Sequence, residues 1–436
     1  MMTADQICAL SLLEASAAVT GGDLSPVDLT RACLDRISRL DREYNSFIAV
    51  YGEHALADAE ALTAEVKADR SRGPLHGIPI ALKDLIDVAG EVTTAASALF
   101  LDNRAHEDAE IVRRLKTAGV VILGKTNLHE FAYGGSGMIS HFGVVRNPVD
   151  PRYITGGSSS GAAAAVAARF CFAAIGTDTA GSIRLPAACC GIVGLKPTYG
   201  TVSTEGIVPL AWSYDHVGPM TRTVADAELL WRVLSQSAQT AVDAKRPRVG
   251  IAREFFFEHC DPEIAAAVES VARQLHAIEV RLPVDEDRTV SNAEAFAYHQ
   301  KFVTEKPGFY QKETLRRIRS GEQITAALCV VKKRELEGMR SRAHEIFHDA
   351  DVIVTPTVPI LPSLISELET NPQELRPREL LMLRNTRPFN VLGLPAISVP
   401  IGLTRSGLPI GLQIAAAPGR EDFVLAVAKL VDELIR

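Results

Sequence analysis

The chain has no run of five lysine or arginine residues, no C-x-x-C pair and no apolar stretch of membrane-spanning length. Its 46 basic and 53 acidic side chains leave a net charge of −7. Neither the total charge nor a local basic tract attracts a phosphate backbone, so direct nucleic-acid binding is not expected. A membrane helix needs about 18 or more apolar residues in succession, and the best run, Gly161 to Ile175, is broken by Arg169. No membrane association is expected. The N-terminal residues carry no basic cluster and Glu14 divides their apolar stretch, which argues against a secretory signal. The seven cysteines are odd in number, and Cys189 and Cys190 are adjacent. That usage fits free thiols in a reducing cytoplasm rather than a disulfide framework.

What is present is ample apolar material, 47% of 436 residues. Such a chain is neither disordered nor collagen-like. It can bury roughly three quarters of its unfolded surface, so no disulfide or metal is needed as a staple. The length suits two or three domains of about 150 residues, or one large α/β unit with an insertion.

Residues 1–65 read as helical. Ser25 is a good N-cap, Pro26 fits the first helical position and Asp28 supplies a capping carboxylate. Leu29, Cys33, Ile37 and Leu40 then fall near one face. From Gly77 to about Met220 the pattern changes to short β-branched runs, such as Gly119 to Gly124 and Ile192 to Leu195, separated by glycine-rich turns and by the Ala-rich segment Ala162 to Ala168. This alternation points to an α/β layer structure with a largely buried sheet. The segment 236–345 is more charged and helix-like, notably at Gln311 to Arg319 and Lys332 to Ile346, and reads as a variable helical insertion or cap that closes the pocket. Sheet-like sequence returns at Val352 to Thr355 and Pro395 to Pro400. The expected architecture is a single domain over 1–436, with N-terminal helices (1–65), a catalytic core (70–225), the insertion (236–345) and a return to the core (350–436).

Three short motif matches fail on physical grounds. Gly119 to Thr126 spells the phosphate loop GxxxxGK[ST], but Val120, Val121, Ile122 and Leu123 have strand composition, whereas that loop must curl so its amides converge on phosphate. His344 to His348 spells the zinc motif HExxH, yet the helix ends at once in Asp349-Ala350-Asp351 and no third ligand is marked. Gly157 to Gly161 spells the nucleophile elbow GxSxG around Ser159, but Pro148 and Pro151 precede it where a central strand is required.

A wider constellation remains. Thr155 to Gly161 and Gly176 to Pro186 are two turns rich in glycine and hydroxyls, separated by an Ala-rich helix and a short apolar strand. A flexible linker would not alternate with strands and helices in this way. A serine nucleophile needs a base, and none of the eleven histidines lies in these turns, although folding can bring one near. A neutral lysine is the other choice. Lys83 ends the apolar run Ile78 to Leu82, where burial disfavours the ammonium; to act near neutrality it must drop from about 10.4 to about 7 or 8. Taken alone, Lys83 also fits an exposed lysine whose stem lies along apolar surface.

Together these residues resemble the amidase signature family. The similarity runs from Gly156 to Pro186, through Gly191 to Thr198 and Asp215 to Met220, with family-like blocks around Lys83, Gly124 to Phe131, Thr355 to Thr357 and Phe389 to Pro400. The resemblance implies an α/β fold with a central mixed sheet covered by helices on both faces. It implies Ser182 as nucleophile, Lys83 as base and Ser158 as the bridging hydroxyl after a cis peptide at Gly157–Ser158. It further implies an oxyanion hole from the amides of Thr179, Ala180, Gly181 and Ser182. Ala180 departs from the family's frequent glycine at that position, and Ser160-Gly161-Ala162 departs from its usual Gly-Gly-Ser. Tyr133, Gly134, Gly157 and Arg184 are the candidates for contacting substrate. Tyr133 reads equally well as a packed core residue, and Arg184 as a salt-bridge partner of Asp178.

The expected activity is hydrolysis of a small carboxylic amide through a serine acyl-enzyme. The resemblance implies neither metal nor organic cofactor, and the sequence leaves a homodimer open. The alternative is the glutamine-hydrolysing A subunit of a tRNA-dependent amidotransferase, which Lys196 to Gly200 and Met220 to Thr223 resemble.

Overall fold

The computed structural model describes residues 2–236 and 247–435. Among these residues eleven strands are present: β1 (Phe47–Val50), β2 (Pro79–Lys83), β3 (Val121–Thr126), β4 (Ala173–Asp178), β5 (Val193–Lys196), β6 (His216–Thr221), β7 (Val249–Ile251), β8 (Ile278–Glu279), β9 (Val352–Pro356), β10 (Ala396–Leu403) and β11 (Pro409–Ala416). They form one mixed sheet in the order β1-β3-β2-β4-β6-β5-β10-β11-β9-β7-β8. The β2–β3, β2–β4, β7–β8 and β7–β9 pairs are parallel, and the others are antiparallel. The two terminal segments of the chain therefore share a single sheet, flanked by helices.

Strand periodicity sets what each face carries. On β11, Ile410, Leu412, Ile414 and Ala416 join the apolar cluster that contains Val424, Val427 and Val431 of the helix Glu421–Ile435. The intervening Gln413 points the other way, toward Arg184 of the helix Arg184–Cys190. A period of two thus separates a dry face from the face that supports the polar site.

The helix Pro26–Tyr44 begins as its sequence specifies. The Ser25 hydroxyl accepts from the Asp28 amide at 3.1 Å, and the Asp28 carboxylate accepts from the Ser25 amide at 2.8 Å. Leu29, Cys33 and Ile37 are buried on one side, with Leu40 packed beside them.

Two boundaries need correction. Residues 1–65 are not wholly helical, because β1 pairs antiparallel with β3 at the sheet edge. The segment 236–345 is not a purely helical insertion, because β7 and β8 extend the sheet beyond β9. Strands of two to four residues owe their identity to the neighbour they pair with, and local composition carries little of that information. Residues 237–246 of this segment lie outside the described residues. All seven cysteines are free thiols. Among the described residues no helix is long and apolar enough to cross a membrane.

Candidate active site

Three adjacent parallel strands deliver the centre of the site. Lys83 is the last residue of β2, between β3 and β4, and is fully buried. Its Nζ lies 2.7 Å from Ser158 Oγ and 2.7 Å from Thr177 Oγ1 of β4. Burial pushes the Lys83 ammonium down to about 7, against the opposing pull of the Asp178 and Asp215 carboxylates. The exposed alternative for this lysine is therefore excluded.

The two hydroxyl-rich turns meet at this point. The peptide bond Gly157–Ser158 is cis. The Ser159 amide donates to the Ser182 carbonyl at 3.2 Å, which ties one turn to the other. Ser159 itself is spent structurally. Its hydroxyl donates to the Thr177 carbonyl at 3.1 Å and accepts from the Thr177 amide at 3.3 Å, and no strand leads into it. No histidine side chain is hydrogen-bonded to Ser158 or Ser182 among the described residues. The nearby His129 and His216 are buried, and burial, followed by the charge of Arg317 and of Lys196 respectively, keeps both well below the usual imidazole range.

The loop 179–183 is held from below by Asp178, the last residue of β4. Asp178 Oδ1 accepts from the Gly181 amide at 2.8 Å and Oδ2 from the Ile183 amide at 3.2 Å. Burial alone would raise this carboxyl, but the adjoining Arg184 guanidinium outweighs it and holds Asp178 below the usual carboxylate range. Asn390 donates to the same Oδ1 at 2.8 Å, and the Thr386 hydroxyl donates to the Ala180 carbonyl at 2.7 Å. On the opposite side, Thr179 Oγ1 donates to Asp215 at 2.6 Å, where burial pushes the carboxyl up to about 6.

This geometry corrects three assignments. Arg184 is no substrate contact: it is fully buried, bidentate on Asp178 at 2.9 and 3.0 Å, and its remaining donors reach the Thr386 carbonyl, Gln413 Oε1 and Asn390 Oδ1. Gly181 cannot offer its N–H to an oxyanion while that single hydrogen is held by Asp178. The amides of Thr179, Ala180 and Ser182 have no acceptor among the described residues. Gly181 serves instead as the bend: at φ 135° a Cβ would lie 2.0 Å from Thr386 Oγ1. Gly157, finally, packs against the backbone of Gly134, Gly135 and Gly137 and is not part of the cavity wall.

A cavity of about 50 Å³ opens on Ser182, with Thr179, Ala180, Tyr133 and Gly134 in its wall. Tyr133 is fixed by a 2.9 Å hydrogen bond from its hydroxyl to Asn292 Oδ1. The wall also contains Arg288, Ser291 and Asn292, so the variable segment borders the cavity. Sequence reading missed Thr177, Asp215, Thr386 and Asn390. Asn390 lies far along the chain from Asp178, and no local pattern links them.

The rejected motifs also find their places. Lys125, the lysine of the phosphate-loop match, is buried on β3 against Asp84 at 3.2 Å and Thr93 at 3.0 Å. In the zinc-motif match, residues Ala343–Phe347 form a 3₁₀ turn; His344 contacts the Ser341 carbonyl and His348 the Asp349 carboxylate, both in solvent. Among the described residues no group of three or more His, Cys, Asp or Glu side chains is placed to hold a metal ion.

Comparison with known proteins agrees with this arrangement. The amidase family model matches residues 28–425, and the chain belongs to that family. It is an amidase-signature amidohydrolase acting on amide C–N bonds. Among curated proteins it is 36% identical to the A subunit of glutamyl-tRNA(Gln) amidotransferase from Myxococcus xanthus, covering 97% of each chain. Among solved structures it is similar to an amidase with TM-score 0.90 at 32% identity, covering 98% of this chain and 100% of that one. It is also similar to the A subunit of glutamyl-tRNA(Gln) amidotransferase from Thermotoga maritima, with TM-score 0.76 at 31% identity, covering 99% of this chain and 94% of that one.

Proposed function

We propose that this chain is a stand-alone amidohydrolase that cleaves a small carboxylic amide through an acyl-enzyme on Ser182. The observation that carries the reading is Lys83, buried and lowered to about 7, 2.7 Å from the Ser158 hydroxyl. A neutral amine there takes the Ser158 proton while Ser158 takes that of Ser182. Ser182 Oγ then bonds the carbonyl carbon, and the carbonyl electron pair moves onto oxygen. The free amides of Thr179, Ala180 and Ser182 face the developing charge, each supplying on the order of 3 kcal/mol. As the tetrahedral adduct collapses, the C–N bond breaks and the relay returns its proton to the departing nitrogen. Water, deprotonated by the same relay, cleaves the ester and restores Ser182. Nucleophile, base and oxyanion donors all come from the polypeptide. The seven unpaired thiols support a reducing compartment, the cytoplasm.

A second reading is the glutamine-hydrolysing component of an amidotransferase, favoured by the Myxococcus xanthus relative. The stand-alone reading is favoured by the greater structural similarity to the amidase, 0.90 against 0.76. Ammonia release by the purified chain tests both, using a panel of small amides that includes glutamine, with Ser182→Ala as control. Serine-dependent release from a non-glutamine amide supports the first reading, and activity on glutamine alone supports the second. Full activity in Ser182→Ala would sink both.

A further inference from the structure

The cavity beside Ser182 has an unusual electrostatic composition. Three arginines, Arg288, Arg376 and Arg387, line it, and no acidic side chain does so among the described residues. Their charges are only partly answered. Arg387 donates to two backbone carbonyls, those of Asp285 and Asp287. Arg376 sits 3.5 Å from Glu379, but that carboxylate is 2.8 Å from Arg317, its nearer partner. The Arg288 guanidinium makes no hydrogen bond or ion pair among the described residues; only its backbone carbonyl is engaged, by Ser291 and Asn292. The acidic run preceding it attracts Arg288 and Arg387 through space but lies outside the wall of the Ser182 cavity. Asp285 and Glu286 border a neighbouring outer cavity of about 290 Å³, and Asp287 pairs with Lys332 at 3.1 Å. Arg288 and Arg387 line both cavities and so form the wall between them. Burial and the fields of Arg387 and Arg376 lower Arg288 to about 10, which leaves it fully charged at neutral pH.

Three cations crowded into one small space, Arg387 buried and Arg288 and Arg376 half-buried, repel one another, and an anion bound among them relieves that cost. A guanidinium offers paired donors that match a carboxylate. The geometry points to a substrate that is an amide carrying a carboxylate and no amino group, its acid end held by Arg288 with Arg376 and Arg387 and its amide carbonyl at Ser182. The exclusion of an amino group follows from the wall: an ammonium would meet three cations and no carboxylate. This inference rests on the amidohydrolase reading above and names the substrate class of that same site. It also disfavours free glutamine, which carries an ammonium beside its carboxylate.

The test uses two matched pairs and one binding measurement on the purified full chain. Succinamic acid is compared with succinamide, and glutaramic acid with glutamine, by kcat/KM for ammonia release. The acid amide is expected to exceed its partner at least about tenfold in each pair, as one charge-assisted interaction implies. Arg288→Met should reduce the acid-over-neutral ratio about 10- to 100-fold, and Arg288→Lys should restore part of it. Binding of succinate and glutarate to Ser182→Ala is followed by calorimetry, with Arg288→Met introduced in that background and thermal melting as a folding control. Saturable dicarboxylate binding, weakened at least about tenfold by Arg288→Met, is the expected result. Equal turnover of acid and neutral partners, or no dicarboxylate binding by folded Ser182→Ala, overturns the inference. Dicarboxylate binding without ammonia release from any amide would instead overturn the amidohydrolase reading and leave the anion site standing.

Discussion

Thr177 on β4 places its hydroxyl 2.7 Å from Lys83 Nζ on β2, the same distance at which the amine meets Ser158. The lysine is thus held between two hydroxyls, one on the neighbouring strand and one on the turn that carries the cis peptide. Neither carries a formal charge, so burial prevails over hydrogen bonding and the ammonium is disfavoured. An ion-paired lysine in the same place would stay protonated and could not act as a base.

The first consequence is a pH profile. The neutral amine is the active form, so kcat/KM should rise with pH through an acid limb near 7 and fall about tenfold per unit below it. Lys83→Ala should remove nearly all turnover. A rate that is flat between pH 5 and 8 with the wild-type chain would count against Lys83 as the base.

Thr177→Val removes one of the two hydroxyls at nearly constant volume. A hydrogen bond accepted from the ammonium favours the charged form, so its loss should move the acid limb to lower pH while kcat falls about tenfold through poorer positioning. An unmoved limb would show that Thr177 does not act on this amine, and a limb displaced to higher pH would show that it does not favour the charged form.

Arg184 and Arg288 should separate structure from binding. Arg184→Ala leaves Asp178 buried without its counter-ion and should cost about 3–5 kcal/mol in denaturant unfolding. The Arg288 guanidinium has no hydrogen bond or ion pair to lose among the described residues, so Arg288→Met should change stability by less than about 1 kcal/mol. Equal losses would mean that Arg288 is a structural residue.

Gly181→Ala tests the bend above Asp178. Its Cβ would meet Thr386 Oγ1 at 2.0 Å on a backbone with φ 135°. Turnover should fall by at least about a hundredfold as the free amides beside it shift, since losing one such donor alone costs about that much. Near-normal kcat would show that the loop geometry is not needed for the reaction.

Dialysis against a strong chelator should leave activity unchanged, because His344 and His348 sit in solvent with separate partners. Loss of activity restored by zinc would reinstate the metal reading of that motif.

Much of this protein is legible before folding. Ser25, Pro26 and Asp28 specify the start of a helix because capping is local, and the β-branched runs at β3, β9 and β10 announce buried strands. The poor loop composition of Val120 to Leu123 was enough to reject a phosphate loop. Two hydroxyl-rich turns and a lysine ending an apolar run marked the site, since those residue types carry the chemistry wherever they are brought together. The strands β1, β7 and β8 were not legible, because two to four residues become a strand only through the hydrogen bonds of a neighbour. The role of Arg184 was settled by residues distant in sequence, Thr386, Asn390 and Gln413, which occupy donors left over from Asp178. The cation-lined cavity is tertiary as well: Arg288, Arg376 and Arg387 lie in different segments, and only the folded chain turns them toward Ser182. Local sequence thus determined which groups are available, whereas burial and the convergence of distant segments decided which of them are charged, which are already satisfied and which remain free to meet a substrate.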